Sequence, residues 1–365
     1  MLPFEQNPTL RVLQEHPLNA GPSLDHLCRT FITPDELFYV RNHGTLPVVR
    51  PEEWALTVTG MVRTPLRLSL DDLRQRFPRR TAAATLECAG NRRGELAGVK
   101  PIPGELLWSA EAIGNAVWEG LALAEVLAAA GVSAEARHVA FTGLDEIEKG
   151  GRTFGFGGSI PLEKARRPEV LLAYAMNDAP LTPIHGFPLR ALVPGYIGAR
   201  SVKWLTNIDV RAEPSDNYFQ RQAYKLFPPD VSAESADWSR GTMLYDAPLT
   251  SVICEPAEGA LVEGERAVVR GYAYAGGRGI ARVEVSCDGH EPWIEAALAP
   301  DQGEWSWRLW EADVPVRADT RQLVVRAWDV DDTGQPENPG TLWNFKGYLN
   351  SAWHRVTIRR GEASR

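Results

Sequence analysis

Cysteine is scarce in this chain, and its spacing excludes several familiar sites. The 365 residues contain 4 cysteines, at positions 28, 88, 254 and 287, with no CxxC pair and no CxxCH motif. A structural zinc site and an attached c-type haem both need closely spaced ligands, so neither is indicated. Widely separated thiols are typical of a protein in a reducing compartment.

Long apolar runs and blocks of one charge are also missing. No segment is continuously apolar over the roughly 18 residues that a bilayer span needs, and the start, MLPFEQNPTL, does not resemble a signal peptide. The formal net charge is −8, from 39 basic and 47 acidic residues. These absences argue against nucleic acids and membranes as partners, and they predict a cytoplasmic protein.

The pattern of apolar residues changes near residue 245 and predicts two domains, residues 1–245 and 246–360. In the first, SLSLDDL offers Ser69 as a helix N-cap with Asp72 three residues later, and LALAEVLAAAG predicts a helix from Leu121 that Gly131 ends. Short apolar runs between residues 171 and 205, broken by Pro and Gly, predict buried strands joined by tight loops. This part is therefore α+β or α/β.

The second part predicts a β-sandwich of immunoglobulin-like size. The stretches AVVRGYAYAG, ARVEVSCDG, EWSWRLWEADV and RQLVVRAWDVDD read as short alternating strands between turns. We expect a homodimer through this sandwich, because exposed apolar residues in the EWSWRLW stretch would be covered by an interface.

Cys88 lies in ECAGNRRGE, between turn-forming residues and two arginines. Nearby positive charge favours a thiolate, which is the form that binds metals. A cysteine-dependent phosphatase would need an arginine six residues after the cysteine, and that position is Gly94. Two interpretations remain: an inert packed cysteine, or a thiolate in a cationic pocket suited to a soft metal and an anionic ligand.

The glycine-rich stretch EKGGRTFGFGGSIP matches neither a Walker loop nor a dinucleotide fingerprint, so it gives no support to nucleotide binding. Two other stretches combine loop glycines with hydrogen-bond donors. FYVRNHGTLPV holds three consecutive donors for an oxyanion or polar cofactor, unless it is a solvated loop. IHGFPLRALVPGYIGARSVKW has three cations at the edges of apolar strands, which favours phosphate binding over surface salt bridges. The polar residues of the two stretches are Arg41, Asn42, His43, His185, Arg190, Arg200, Ser201 and Lys203.

Taken in order, these stretches resemble the sulfite oxidase family of molybdenum enzymes over nearly the whole chain. The motifs are ITPDELFYVRNH, LSLDDL, TLECAGNRR, EVLLAYAMN, HGFPLRALVPGYIGARSVKWL, GYAYAGG, VEVSCDG, RAWDVDD and LNSAWHRV. The resemblance implies an α+β fold, with a mixed α/β molybdopterin-binding catalytic domain followed by an immunoglobulin-like dimerisation domain. It also implies a molybdenum–molybdopterin cofactor and no haem in this chain.

The resemblance further implies a role for each site residue. Cys88 would be the protein's direct ligand to molybdenum. Arg41, Arg93 and Trp108 would form the wall of an anion pocket, and Tyr224 would lie beside the metal. Contacts to the pterin and its phosphate are implied for Tyr39, His43, Asp145, His185, Arg190, Ser201 and Lys203.

The implied reaction is the oxidation of sulfite to sulfate by oxygen-atom transfer at a molybdenum-oxo centre. Because no cytochrome b5 domain precedes the catalytic part, electrons are expected to pass to an external acceptor. Lys346, in WNFKGYLNSAWHRV, stands where sulfite oxidases usually place an active-site arginine, so weaker sulfite binding is expected. The alternatives are a related oxyanion or sulfoxide reductase, similar to nitrate reductase or methionine sulfoxide reductase, and a non-catalytic cofactor-binding protein.

Overall fold

The computed structural model describes residues 9–361, and strands dominate this part of the chain. The strands before residue 245 are β1 (Leu10–Gln14), β2 (Asn19–Pro22), β3 (Leu56–Gly60), β4 (Leu66–Leu68), β5 (Arg80–Glu87), β6 (Ile113–Ala122), β7 (His138–Gly143), β8 (Ile147–Lys149), β9 (Arg152–Phe154), β10 (Gly157–Pro161), β11 (Leu171–Met176), β12 (Ala179–Pro180), β13 (Arg190–Leu192), β14 (Leu205–Arg211), β15 (Lys225–Leu226) and β16 (Thr242–Met243). The α-helices are α1 (Leu24–Leu27), α2 (Leu70–Arg76), α3 (Arg93–Val99), α4 (Leu123–Ala130) and α5 (Leu162–Ala165).

Two sheets form the framework of the first part. One has the order β10-β7-β14-β3-β4, in which β14 and β3 run parallel and the other pairs antiparallel. The other has the order β12-β11-β6-β5, with β13 also paired to β11, and all its pairs are antiparallel. One apolar core joins both sheets and α4, through side chains such as Leu56, Val126, Leu172 and Ile208. The fold is α+β, with short helices.

The two helix predictions fared differently. Ser69 caps α2 as predicted: its hydroxyl accepts from the Asp72 amide at 3.0 Å, and Asp72 Oδ2 accepts from the Ser69 amide at 2.9 Å. Gly131 ends α4 with a φ of 70°, a conformation that glycine adopts without strain. The predicted start at Leu121 is wrong, because Leu121 still belongs to β6 and pairs with Leu172.

The second part is a sandwich of two sheets. Its strands are β17 (Thr250–Glu255), β18 (Ala260–Val262), β19 (Arg266–Tyr274), β20 (Ile280–Cys287), β21 (Trp293–Glu295), β22 (Ala297–Leu298), β23 (Arg308–Pro315), β24 (Gln322–Asp329) and β25 (His354–Arg360). The sheet orders are β17-β19-β23-β22 and β18-β25-β24-β20-β21. Alternate residues of β19, such as Ala267 and Val269, face the shared core, as the alternation in the sequence predicts.

The expectation that the EWSWRLW stretch is exposed is wrong. Trp310 is 3% exposed and lies in the sandwich core, and Trp307 is 1% exposed. The Trp307 indole donates to the Phe31 carbonyl at 2.9 Å and stacks on Tyr272 with 5.4 Å between ring centroids. These rings are covered by the chain itself, so they give no support to an interface with another copy.

A long loop of the sandwich packs against the first part of the chain. This loop joins β24 to β25 and contains Trp343 and Phe345, which pack against Leu96, Ile102 and Phe227. The Trp343 indole donates to a backbone carbonyl in the loop after α3, at 2.9 Å. Residues of the second part are thereby brought close to the loop after α3. No helix within residues 9–361 is both long and apolar enough to cross a membrane.

Candidate active site

Most of the predicted site residues line one pocket beside the ends of β5 and β13. The pocket is lined, among other residues, by Tyr39, Arg41, His43, Cys88, Asp145, His185, Arg190, Ser201, Lys203 and Tyr224. These residues lie up to 185 positions apart in the sequence, so the fold brings them together. Arg93, Trp108 and Lys346, and also Arg200 from the cationic stretch, are outside its lining.

Cys88 follows directly after β5 and is held by backbone hydrogen bonds. Its amide donates to the Ala112 carbonyl at 2.9 Å, and its own carbonyl accepts from the Asn91 amide at 2.9 Å. The Gly90 amide donates to the Cys88 sulfur at 3.4 Å. A backbone donor aimed at sulfur stabilises negative charge there, so the loop suits a thiolate that coordinates a metal.

The two arginines after this loop, Arg92 and Arg93, lie in different environments. Arg92 has a φ of 62°, its side chain is fully buried, and it makes two hydrogen bonds of 2.7 Å to the Glu95 carboxylate. Arg93 begins α3, and its guanidinium lies over the Tyr348 ring at 5.1 Å. Arg92 therefore forms a structural ion pair, and Arg93 is the arginine available to the site.

Asn19, which sequence analysis missed, orients the Arg41–Asn42 segment. Asn19 is fully buried in β2. Its side-chain oxygen accepts from the Asn42 amide at 2.8 Å and from Arg41 Nη1 at 3.1 Å. Buried bonds of this kind hold a side chain in a single direction. The sequence carries no signal for this role, because Asn19 is 22 residues away from Arg41.

His43 and Tyr224 form a hydrogen-bonded pair at the wall of the pocket. The Tyr224 hydroxyl lies 3.0 Å from His43 Nε2, and His43 stacks on Phe156 with 4.7 Å between centroids. Burial, followed by the charge of Arg41, lowers the pKa of His43 well below its usual range. Burial also raises the pKa of Tyr224. At neutral pH the pair is thus an uncharged imidazole and a protonated phenol, which is able to donate a hydrogen bond.

Two buried cations, Arg190 and Lys203, also line the pocket. Arg190 Nη1 donates to the His185 carbonyl at 2.9 Å and Nη2 to the Ser201 carbonyl at 3.2 Å, while its Nε has no hydrogen-bond partner among residues 9–361. Burial lowers the pKa of Arg190 to about 10 and that of His185 to about 3. Burial and the charge of Arg190 lower the pKa of Lys203 well below its usual value.

This cation cluster fits the phosphate of a molybdopterin. Buried positive charges repel one another and are costly without an anion. A phosphate supplies that charge, and its oxygens accept hydrogen bonds from donors such as the unpartnered Arg190 Nε. Asp145 and Ser201 line the same pocket and also accept hydrogen bonds within the protein: Asp145 from the Phe156 amide at 2.9 Å, and the Ser201 hydroxyl from the Val193 amide at 3.0 Å.

Tyr39 lines the pocket, and Trp108 packs against it from outside the lining. Trp108 is fully buried and meets Tyr39 edge to face, with 6.5 Å between centroids. Its indole nitrogen has no hydrogen-bond partner among the described residues. Trp54 and Trp310, which do not line the pocket, also have unpartnered indole nitrogens within residues 9–361, so the position of Trp108 beside a bound anion stays a prediction.

Lys346 lies beside Arg93, and both are close to an acidic residue that sequence analysis missed. Lys346 Nζ donates to Glu105 Oε1, and Arg93 Nη2 lies 3.8 Å from Glu105 Oε2. Tyr348, two residues after Lys346, stacks on Tyr224 with 5.4 Å between centroids. Tyr348 could be predicted as a site residue because it is two positions from Lys346 in the sequence. Glu105, in PIPGELLW, is near no predicted cation in the sequence and could not be predicted in this way.

Comparison with known proteins agrees with this geometry. A family model described as an oxidoreductase molybdopterin binding domain matches residues 43–219. A second, described as a Mo-co oxidoreductase dimerisation domain, matches residues 241–361. The chain is therefore an oxidoreductase of the molybdopterin-binding class.

Individual relatives define the family more narrowly. The chain is 40% identical to a sulfite oxidase of Arabidopsis thaliana, over 98% of this chain and 96% of that protein, and 42% identical to a sulfite oxidase of Gallus gallus, over 96% and 78%. The solved sulfane dehydrogenase SoxCD of Paracoccus pantotrophus superposes with a TM-score of 0.81 at 25% identity, over 98% of this chain and 90% of that one. The chain belongs to the sulfite oxidase family.

Proposed function

We propose that this protein oxidises sulfite to sulfate with a molybdenum–molybdopterin cofactor and passes the electrons to an external acceptor. The observation that carries the proposal is one pocket whose lining includes the Cys88 thiol, Arg41 and the buried cations Arg190 and Lys203. Cys88 would hold the metal of such a cofactor, and Arg190 and Lys203 would hold its phosphate. A cytoplasmic location and the absence of haem from the chain stay predictions from the sequence.

The cofactor, when bound, supplies the oxygen-atom transfer chemistry and takes up two electrons. Arg41, Arg93 and Lys346 attract the sulfite dianion in spite of the net charge of −8. The Tyr224 hydroxyl stays protonated and, with His43 Nε2 donating to its oxygen, donates its own proton in a hydrogen bond to an oxygen of the substrate or product. Tyr39, which packs against the buried Trp108, forms an apolar part of the pocket wall and limits water there, which strengthens each of these interactions.

Metal analysis combined with a sulfite assay tests the proposal. We expect about one molybdenum per chain, an organic pterin in the denatured extract, and sulfite-dependent reduction of an artificial acceptor such as ferricyanide. The same preparation, given a reduced dye and either nitrate or methionine sulfoxide, is expected to show much slower turnover. A molybdenum-loaded protein that turns over nitrate or the sulfoxide but not sulfite would contradict the proposal in favour of a reductase.

We also propose the domain boundary near residue 245 and a homodimer formed by the part that follows it. The match of residues 241–361 to a dimerisation domain supports both. Truncation near residue 245 is a poor test, because it removes Lys346, Tyr348 and the Trp343 contact with the first part. Light scattering on the intact chain is the appropriate measurement, and we expect twice the mass of 40.3 kDa at micromolar concentration. A monomer under these conditions would refute the dimer.

A further inference from the structure

A carboxylate lies beside two of the cations that we propose attract sulfite. Glu105 accepts a hydrogen bond from Lys346 and also faces Arg93 Nη2 at 3.8 Å. The side chains of Glu105 and Lys346 are 19% and 17% exposed, and that of Arg93 is 2% exposed. Water therefore screens these three charges only partly. They act on a bound anion more strongly than the same charges would on an open protein surface.

Arg93 has few donors left for a substrate. Its Nε donates to the Lys346 carbonyl at 2.9 Å and its Nη1 to the Leu106 carbonyl at 2.8 Å. Nη2 remains, and this is the nitrogen that faces Glu105. The guanidinium lies between the Tyr348 ring and Gly90. The contact with Gly90 is so close that a Cβ added at this glycine would lie 2.4 Å from Nη2. Arg93 is therefore unable to turn away from the carboxylate.

Glu105 differs from the acidic residues that hold the fold together. Glu95 binds Arg92 through two bonds of 2.7 Å and also accepts from Asn350, so it is fixed from several sides. Within residues 9–361, the polar partners of the Glu105 carboxylate are Lys346 and Arg93. Glu105 also lies in the irregular segment between α3 and β6, where a side chain moves at a smaller cost than in a strand or helix.

We infer that Glu105 is a specificity-determining residue that competes, as an internal anion, with the substrate for Lys346 and Arg93. An entering oxyanion has to displace the carboxylate from the Lys346 ammonium and then experiences its repulsion. A dianion experiences this repulsion twice as strongly as a monoanion at the same distance. Glu105 thereby weakens the binding of sulfite and sulfate more than that of nitrate, and it favours release of the sulfate product. The inference rests on the proposed function.

Equilibrium binding to the purified holoenzyme tests the inference without turnover. Calorimetric titration with sulfate and with nitrate is compared between wild type and Glu105→Gln, which keeps the shape of the side chain and removes the charge. We expect sulfate to bind about tenfold more tightly to the variant than to wild type. The gain in affinity for nitrate is expected to be smaller. The KM for sulfite falls in parallel with the sulfate dissociation constant, while kcat stays the same or falls because sulfate leaves more slowly.

Matched variants separate this local effect from a general change of charge. Glu125, on α4, pairs with Arg80 of β5 at 3.1 Å. Glu125→Gln removes a carboxylate that is not paired with Lys346 or Arg93, and we expect the sulfate affinity to be unchanged. Glu105→Asp withdraws the carboxylate by one methylene group and is expected to give an intermediate affinity, which provides a second variant if Glu105→Gln folds poorly. Lys346→Met is expected to weaken sulfate binding.

The outcomes distinguish this inference from the proposed function. If wild type binds sulfate and oxidises sulfite but well-folded Glu105→Gln binds sulfate no more tightly, the inference is wrong and the proposed function stands. Equal gains for Glu125→Gln and Glu105→Gln would also overturn the inference, since net charge alone would then explain them. If the molybdenum-loaded wild type neither binds sulfate nor oxidises sulfite, the proposed function itself fails.

Discussion

Replacement of Cys88 by serine is expected to reduce sulfite oxidation by about a thousandfold or more while leaving the fold intact. Serine is similar in size, so it fits the buried loop and accepts from the Gly90 amide as the sulfur does. Its oxygen is a harder and more basic ligand than a thiolate, and it matches molybdenum in a thiolate-rich environment poorly. Steady-state turnover with sulfite, molybdenum content and circular dichroism measure the three parts of this expectation.

A second thiol provides the control for this substitution. Cys254 is as well buried as Cys88, but it packs beside Val252 and Tyr272, away from the pocket. Cys254→Ser is expected to retain turnover, with some loss of stability because a hydroxyl replaces a thiol among apolar side chains. Full sulfite oxidation by Cys88→Ser would show that this residue is not the metal ligand.

Arg190→Met is expected to lower the cofactor content of the purified protein about tenfold or more. The substitution removes a buried cation and the unpartnered Nε donor, both of which we propose bind the phosphate. Each charge-assisted hydrogen bond to a phosphate contributes about 1.5 to 3 kcal/mol, so the loss of one or two gives an effect of this size. Molybdenum analysis and pterin fluorescence of the denatured protein measure it.

Arg200 is the matched control for Arg190. Arg200 is also fully buried, and burial likewise lowers its pKa to about 10. It donates twice to the Leu244 carbonyl, at 2.9 and 2.7 Å, and is outside the pocket lining. Arg200→Met is expected to lower the free energy of unfolding by about 1 to 3 kcal/mol, because the carbonyl loses its donor, while most of the cofactor is retained. Equal cofactor loss in the two variants would indicate a general folding defect.

The local parts of the fold were predictable from the sequence because they depend on neighbouring residues. The Ser69–Asp72 capping box needs two side chains three positions apart, and the alternation in β19 follows from the geometry of one strand. The start of α4 was not predictable, because pairing of Leu121 with Leu172 extends β6 by two residues. The burial of Trp307 was missed for the same reason, since its cover comes from Phe31 and Tyr272.

The sequence by itself determined the residue types of the candidate site: a cysteine in a turn, cations in loops next to apolar strands, and an ordered set of family motifs. The tertiary structure alone decided how these residues are used. It separates Arg92 from Arg93, since one pairs with Glu95 and the other packs on Tyr348. It also pairs Lys346 with Glu105, across 241 positions in the sequence. Such contacts depend on how distant segments pack together, and no local pattern of residues records that packing.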